Sequence, residues 1–223
     1  MMTRTLSIAL LAGLFIAGGS WFLTRPAGGP ESLDIGAAFA QETDAEIDTS
    51  SVADMVKGDP EAPVTVIEYA SFTCPHCATF HEEVLPVLQS EYIDTGKVQM
   101  IYREVYFDLP GLWASMVARC GGEMRYFGIV DMLYERQRQW TQGEGAQIAE
   151  NLRQIGLSAG MTQDQIDACF TDAAKAQTLM AWYEENAEAD GIRSTPSFVI
   201  DGELFEGNWS NGLLDAVAAA VGE

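Results

Sequence analysis

Residues 64–77 read Val64-Thr-Val-Ile-Glu-Tyr-Ala-Ser-Phe-Thr-Cys-Pro-His-Cys77, and this stretch decides the fold. Its β-branched and aromatic first half, residues 64–69, predicts a buried strand. Residues 78–89 behind it are predicted to be largely helical. Cys74 and Cys77 then lie one turn apart on one helical face, close enough to bond. Because Cys74 sits at the helix N-terminus, free N–H groups and the helix dipole stabilise its thiolate, which is what thiol–disulfide exchange requires.

The composition is that of a globular protein with an unusually acidic charge balance. The chain has 223 residues, of which 48% are hydrophobic and 20% are charged. This length allows one or two domains with a sizeable core. The formal net charge is −21. A chain this acidic is repelled by phosphate backbones, so we expect no nucleic-acid partner, and the acidity itself is typical of a soluble surface.

The N-terminal residues 1–40 are predicted to be a signal peptide or a membrane anchor. An uncharged apolar run follows Arg4, and its length lies between that of a signal sequence and that of a membrane span. The segment Ala38-Phe-Ala40 fits the small-residue pattern of a cleavage site, although it lies far from the apolar run. A cleaved signal and a retained anchor both export the rest of the chain. Residues 41–60 are acidic and small, and predict a linker.

The remaining chain predicts two groups of strands separated by a helical block. Val98–Glu104 reads as a second strand, and its short crossover from the first predicts a parallel pair in a right-handed βαβ unit. Helical periodicity covers residues 112–138, 146–155, 162–170 and 173–189, with a capping box at Thr162 and Gln165. Strands return at 197–200 and 203–206 around the hairpin signal Asp201-Gly202, and a last helix covers 210–221.

These features carry a resemblance to the DsbA-like branch of the thioredoxin superfamily. A Cys-x-x-Cys motif alone is a modest signal, because zinc sites and structural disulfides share it. Here it follows the strand end Glu68-Tyr-Ala-Ser-Phe-Thr73, and Phe80-His81 stands on the helix behind it. The late segment Gly191-Ile-Arg-Ser-Thr-Pro-Ser-Phe-Val-Ile200 places Thr-Pro at the start of a strand after the helical block. The Pro75-His76 dipeptide matches that of the strongly oxidising periplasmic members.

The resemblance implies an α/β protein, a thioredoxin fold with an inserted helical domain. Residues 61–110 would form the first part of the thioredoxin domain, residues 111–189 the helical insertion, and residues 190–223 the second part of the thioredoxin domain. This order agrees with the strands and helices predicted from the residues themselves.

Cys74 and Cys77 are predicted to be the catalytic pair. Cys74 is expected to be the nucleophile and leaving group, and Cys77, one turn into the helix, to be the more buried resolving thiol. Pro75 and His76 lie between them, and a protonated or donating His76 would lower the pKa of Cys74 further. A purely structural disulfide is the first alternative for this pair.

Half of a zinc site is the second alternative, because Cys74, Cys77 and His81 share one helical face. The chain contains only two histidines, so a fourth ligand would have to come from Cys120 or Cys169. We therefore expect redox chemistry and no metal.

Cys120 and Cys169 lie 49 positions apart on two predicted helices. The four cysteines of the chain allow three connectivities, and an oxidising compartment favours paired thiols. We expect a structural disulfide between these two, which would stabilise the fold by about 4 kcal/mol in the chain-entropy model. Buried free thiols and a second redox relay are the alternatives. Some DsbA-like proteins carry a second disulfide in the helical domain, which agrees.

Glu68 is a carboxylate in an otherwise apolar predicted strand, which is costly unless the group is paired or functional. The resemblance implies a buried acid here that handles protons near Cys77. Exposure at a sheet edge and pairing with Arg103 on the neighbouring strand are the alternatives.

Thr195 and Pro196 are the predicted substrate-binding residues. Sequence alone favours a trans bond at this proline, since about one X–Pro bond in twenty is cis. The resemblance implies a cis-proline beside the Cys-x-x-Cys motif, where the preceding residue offers backbone groups to an extended peptide. It also links threonine at this position with isomerases as often as with oxidases.

With the resemblance, the sequence predicts an exported, periplasmic thiol:disulfide oxidoreductase that donates its Cys74–Cys77 disulfide to newly exported cysteine-containing proteins. The family implies a DsbB-like membrane protein as reoxidant. We expect a monomer without cofactors, anchored to the membrane if the signal is retained. The alternatives are a disulfide reductase or isomerase, and a non-catalytic chaperone or binding module with a structural Cys-x-x-Cys. Isomerases of this superfamily usually add a dimerisation domain, for which residues 41–60 are too short.

Overall fold

A mixed five-stranded sheet forms the centre of the protein, in a computed structural model that describes residues 47–223. The strands are β1 (Met55–Lys57), β2 (Val64–Ala70), β3 (Val98–Glu104), β4 (Ser197–Ile200) and β5 (Glu203–Leu204). They lie in the order β1-β3-β2-β4-β5. Strands β2 and β3 are parallel, and Val64 is aligned with Val98. The predicted βαβ unit is therefore confirmed, and it puts the Cys-x-x-Cys motif at the C-terminal end of the central strand.

The helical stretch behind β2 is divided into three parts. Helix α1 (Pro75–Glu83) is followed by a separate short helix α2 (Leu85–Leu88) and by a π-helical turn over Gln89–Ile93. Pro86 explains the break near Val84, because proline lacks the N–H that would continue the ladder and its ring clashes with the preceding turn. Residues 78–89 are thus largely helical, as predicted, with one break at Val84.

Six helices form the block between β3 and β4. They are α3 (Leu109–Cys120), α4 (Glu123–Glu135), α5 (Gln137–Trp140), α6 (Gly145–Ser158), α7 (Gln163–Phe170) and α8 (Ala173–Ala189). The helical periodicity predicted over 112–138 is confirmed, but it belongs to separate helices, since the chain turns at Gly121 and Gly122. Gly122 has φ +73°, a conformation that favours glycine and starts a new helix direction. The predicted capping box is confirmed, with Thr162 and Gln165 bonded reciprocally.

The last part of the chain returns to the sheet as predicted. Strand β4 is antiparallel to β2, and Val199 is aligned with Leu204 across the hairpin to β5. Asp201 and Gly202 both have positive φ, as the Asp-Gly hairpin signal requires. Helix α9 (Trp209–Val221) packs its apolar side over this half of the sheet through Leu213 and Val217.

A strand lies within the range for which the sequence predicts a linker. Strand β1 pairs antiparallel with β3, with Met55 opposite Tyr102. Val52 and Met55 are buried in the core, and Asp54 pairs with Arg103. The second half of the predicted linker 41–60 therefore belongs to the folded body.

Two large apolar clusters form most of the core. One joins the helical block to the sheet, through side chains such as Phe72, Tyr102 and Leu133. The other lies beneath α1, α2 and α9 and contains Phe80 and Phe198. In the span 47–223, no helix is long and apolar enough to cross a membrane. The predicted signal or anchor, residues 1–40, lies outside the described residues.

Candidate active site

Cys74 stands at the N-terminus of helix α1, as the sequence predicts. It is the N-cap residue with an extended backbone (φ −78°, ψ 119°), and Pro75 is the first helical residue. Proline fits there because its missing N–H would have no helical partner. The N–H group of Cys74 donates to the Ser71 carbonyl at 3.1 Å, which holds the loop that leads into the helix. The sulfur of Cys74 is half-buried.

The pKa of Cys74 is lowered to about 5. The largest cause is a hydrogen bond from the Cys77 thiol, followed in the same direction by the Thr195 side chain and by the N–H groups of Cys77 and His76, while burial acts against them. The backbone contributions are those expected at a helix N-terminus. The His76 side chain is exposed, so His76 contributes here through its N–H group.

Cys77 has the opposite environment one turn further along the helix. It is fully buried, and burial raises the pKa of its thiol far above the ordinary range. The hydrogen bond to Cys74 and the charge of Glu68 act in the same direction. The site therefore contains one thiol that ionises readily and one that keeps its proton.

Thr195 and Pro196 lie beside the cysteines although they are far away in sequence. The Thr195–Pro196 bond is cis, as the resemblance implies. The Cys74 thiol donates to the Thr195 carbonyl, with the sulfur 3.5 Å from the oxygen. Pro196 also lines a cavity of about 430 Å³ whose wall includes His76, Arg193, Phe205 and Trp209. This arrangement leaves room for an extended chain next to the reactive sulfur.

Glu68 is fully buried on β2, as the resemblance implies, and pairs with a histidine. The Nε2 atom of His81 is 3.2 and 3.1 Å from its two carboxylate oxygens. The alternative of exposure at a sheet edge is excluded by this burial. Pairing with Arg103 is also wrong, because Arg103 binds Asp54 and Asp190. The parallel register explains the difference, since Arg103 is aligned with Tyr69 and not with Glu68.

Gln137 is a site residue that the sequence does not reveal. Its Nε2 atom donates to the carbonyl oxygens of Phe72 at 2.8 Å and of Cys74 at 2.9 Å. The side chain is buried, so helix α5 of the helical block fixes the backbone of the cysteine motif. Neither periodicity nor a local motif predicts this contact, which spans more than 60 residues.

Asp108 ties the first helix of the block to the same loop. Its carboxylate accepts from the N–H group of Gly111 at 2.7 Å and from the Thr73 hydroxyl at 2.8 Å. Asp108 is the N-cap of α3, and Asp followed by Leu109-Pro110 is a recognisable helix start. That signal could have located the cap, although not its bond to Thr73.

Cys120 and Cys169 are joined in a disulfide between the end of α3 and helix α7, with their Cα atoms 6.3 Å apart. They are thereby removed as ligands for a metal at the first cysteine pair. Within residues 47–223, no group of three or more His, Cys, Asp or Glu side chains is arranged to hold a metal ion.

Comparisons with known proteins agree with this geometry. The family model described as thioredoxin matches residues 50–217. A protein of Rickettsia bellii, named as a protein-disulfide oxidoreductase, is 33% identical over 171 residues, which cover 76% of this chain and 65% of that protein. The chain thus spans slightly less than two thirds of this relative.

Two solved structures give the same result. The alpha-DsbA1 of Wolbachia pipientis is 27% identical with a TM-score of 0.67, over 76% of this chain and 91% of that one. The protein-disulfide isomerase of Novosphingobium aromaticivorans is 26% identical with a TM-score of 0.68, over 77% of this chain and 100% of that one. The expected thioredoxin fold with a helical insertion is confirmed. The chain belongs to the thioredoxin family and, within it, to the DsbA-like proteins.

Proposed function

We propose that this protein is an exported thiol:disulfide oxidoreductase that donates the Cys74–Cys77 disulfide to cysteine-containing proteins. The observation that carries this proposal is the opposite perturbation of the two thiols. The pKa of Cys74 is lowered to about 5, whereas that of Cys77 is raised. A low pKa stabilises Cys74 as a thiolate in the reduced protein, so the disulfide that contains it is easily reduced by a substrate.

The exchange proceeds in two steps. A substrate thiolate attacks the Cys74 sulfur of the oxidised enzyme, the Cys74–Cys77 bond breaks, and its electron pair stays on Cys77, which takes up a proton. A second substrate thiolate then attacks the substrate sulfur of the mixed disulfide and releases Cys74 as a thiolate. The substrate loses two electrons and gains a disulfide, and the enzyme ends with both cysteines reduced. Cys77 can instead attack Cys74 and release a substrate that is trapped in the mixed disulfide.

Substrate docking is assigned to Thr195 and Pro196. The Thr195 carbonyl oxygen accepts a hydrogen bond from the Cys74 thiol. The aromatic rings of Phe205 and Trp209 line the adjoining cavity. An extended peptide can place its backbone along this segment and its apolar side chains against the rings. Specificity for sequence is then low, which suits an enzyme that acts on many unfolded chains.

The cellular setting follows from the same proposal. Residues 1–40 would direct the protein to the periplasm, and a DsbB-like membrane protein would reoxidise Cys74 and Cys77. The exchange needs only thiols and disulfides, so no metal or organic cofactor takes part. We propose a monomer, since a single chain contains the whole site.

The function is tested by giving the oxidised protein to reduced, unfolded ribonuclease A. We expect the loss of ribonuclease thiols to match the appearance of thiols on this protein, in stoichiometric amounts. Cys74→Ser should abolish the transfer, and Cys77→Ser should stop at a mixed disulfide. If neither substitution changes the outcome, the motif is not catalytic, and a chaperone or binding module becomes the better account.

Isomerisation is the second candidate, because the resemblance links threonine before the cis-proline with isomerases as often as with oxidases. The same substrate with scrambled disulfides distinguishes the two activities. An oxidase consumes thiols and leaves scrambled ribonuclease largely inactive, whereas an isomerase restores its activity with no net change in thiols. We expect the first result.

A further inference from the structure

His81 is a buried histidine to which the exchange steps assign no task. It lies on α1, one turn after Cys77, and its side chain is only 6% exposed. The ring lies against Tyr134, with the two ring centroids 4.0 Å apart, and edge-on to Tyr102 at 5.8 Å. Its Nε2 atom bonds to Glu68, but its Nδ1 atom is buried and has no hydrogen-bond partner in the described part of the chain. A neutral ring that donates from Nε2 fits these contacts, because Nδ1 then needs no acceptor.

Among the groups around His81, one pair remains that can exchange protons. The titratable groups facing it are Cys77 on its own helix, Glu68 on β2, Tyr102 on β3 and Tyr134 on α4. Burial raises the pKa of both tyrosines well above the ordinary range, so they stay protonated. His81 and Glu68 are the two groups that remain to exchange a proton.

Cys77 needs a proton route that it cannot provide itself. Breaking the Cys74–Cys77 bond makes Cys77 a thiolate, and the attack of Cys77 on the mixed disulfide consumes its thiol, yet both Cys77 and the neighbouring Glu68 are 0% exposed. His81 differs from them because its ring borders a groove of about 970 Å³ between α1 and the helical block. The charged residues that line this groove are Lys57, Glu82, Asp94, Asp131, Glu135 and Arg138.

We propose that His81 is a positioning residue that passes protons between Glu68 and the groove, and so allows the buried Cys77 to gain and lose its proton. The inference rests on the proposed function. When the Cys74–Cys77 bond breaks, the electron pair stays on Cys77. Nε2 of His81 passes its proton to the Glu68 carboxylate, and Glu68 then passes a proton to Cys77. The His81 ring, which borders the groove, regains a proton from the solvent there. When Cys77 attacks Cys74 to release a substrate, the same transfers run in reverse.

The test uses His81→Gln, which keeps a side-chain N–H donor for Glu68 but cannot carry a proton. Reduced protein is mixed with oxidised glutathione between pH 5 and 8, and the reaction is quenched with acid at set times. Mass spectrometry then measures the fraction of protein that carries the glutathione adduct on Cys74. In the unaltered protein we expect rapid release of the adduct, with a rate that rises through one inflection. In His81→Gln the adduct should persist about tenfold longer or more, without that inflection.

Two controls separate proton transfer from structural damage. The thiolate absorbance of Cys74 should titrate identically in His81→Gln and the unaltered protein, because His81 does not contact Cys74. Glu82→Gln removes an exposed charge from the same helix and the same groove, and should behave as the unaltered protein. Equal adduct lifetimes and equal pH profiles in His81→Gln and the unaltered protein would overturn the proposal.

The same experiment distinguishes failure of the His81 proposal from failure of the proposed function. If the proposed function fails, the unaltered protein forms neither the adduct nor the Cys74–Cys77 disulfide. If His81→Gln does not fold, NMR titration of the unaltered protein decides. The chain has two histidines, and the signals of His81 are identified by comparison with His76→Gln. We expect the titration curve of His81 to differ between the oxidised and reduced protein, and identical curves would contradict the relay.

Discussion

The Thr195 hydroxyl is buried and makes no hydrogen bond to another protein group within residues 47–223. The Thr195 side chain lowers the pKa of Cys74, which means that it stabilises the negative charge of the Cys74 thiolate. The Cys77 thiol donates a hydrogen bond to the same sulfur and lowers the pKa of Cys74 further. At the scale of single residues, the reactivity of Cys74 depends on these two donors together with the N–H groups of the helix terminus.

Thr195→Val should raise the pKa of Cys74, because the valine has the same shape but no hydroxyl to stabilise the thiolate. The change is measured as a shift of the thiolate absorbance titration of the reduced protein towards higher pH. Thr195→Ser keeps the hydroxyl and is the matched control. Coinciding curves for Thr195→Val and the unaltered protein would show that the hydroxyl does not act on Cys74.

The residues of the site differ in how far the sequence reveals them. Cys74 and Cys77 are predictable because the motif and its helix are local in sequence. The cis bond at Pro196 needed the family resemblance, since most X–Pro bonds are trans. The pairing of Glu68 with His81 could not be predicted, because it depends on how helix α1 lies over the sheet.

At the scale of the elements, helix α5 is anchored to the cysteine motif by a single buried amide. Gln137→Leu should lower the free energy of unfolding by about 1–3 kcal/mol, because the carbonyl of Phe72 loses its buried donor. Chemical denaturation measures this loss. Gln139→Leu, on the exposed side of the same helix, should have little effect. Equal stabilities of the two variants would mean that the bonds of Gln137 contribute nothing.

The disulfide between α3 and α7 should stabilise the helical block without tuning the active thiols. Replacing both Cys120 and Cys169 by alanine is expected to lower the free energy of unfolding by about 4 kcal/mol, since the bond closes a loop of 49 residues. The pKa of Cys74 should not change, because neither residue contacts it. Unchanged stability on denaturation would contradict a structural role.

Most helices and strands could be predicted, and each miss has a local cause. The ranges Val98–Glu104 and Ala173–Ala189 agree with the structure because their apolar periodicity is long and uninterrupted. Strand β1 could not be predicted, because three residues are too few to show the alternating pattern of a strand. The strand forms because these residues pair with β3. The break at Gly122 was obscured because apolar residues continue on both sides of it.

At the scale of the whole molecule, the low pKa of Cys74 couples stability to pH. The thiolate is favoured in the folded state, where the pKa is about 5, relative to an ordinary value of 9.0. Above pH 9 this contribution is fully present, and it is lost as the pH falls through 5, because the unfolded chain binds the proton first. The reduced protein should therefore lose stability on acidification across this window.

Cys74→Ser isolates this effect, because the other titrating groups are the same in both proteins. The difference in free energy of unfolding between the reduced protein and this variant should shrink between about pH 9 and pH 5. Denaturation at several pH values gives the difference. A constant difference would show that Cys74 titrates alike in the folded and unfolded chains.

The central claim is that the Cys74–Cys77 disulfide is an oxidant, and its redox potential at pH 7 tests this most directly. Equilibration with reduced and oxidised glutathione, followed by counting the thiols, gives the value. The low pKa of Cys74 stabilises the reduced protein, so we predict a potential far above the roughly −270 mV of thioredoxin, towards the roughly −120 mV of strong oxidants. A potential near that of thioredoxin, or a disulfide that glutathione cannot reduce in the native protein, would contradict the account.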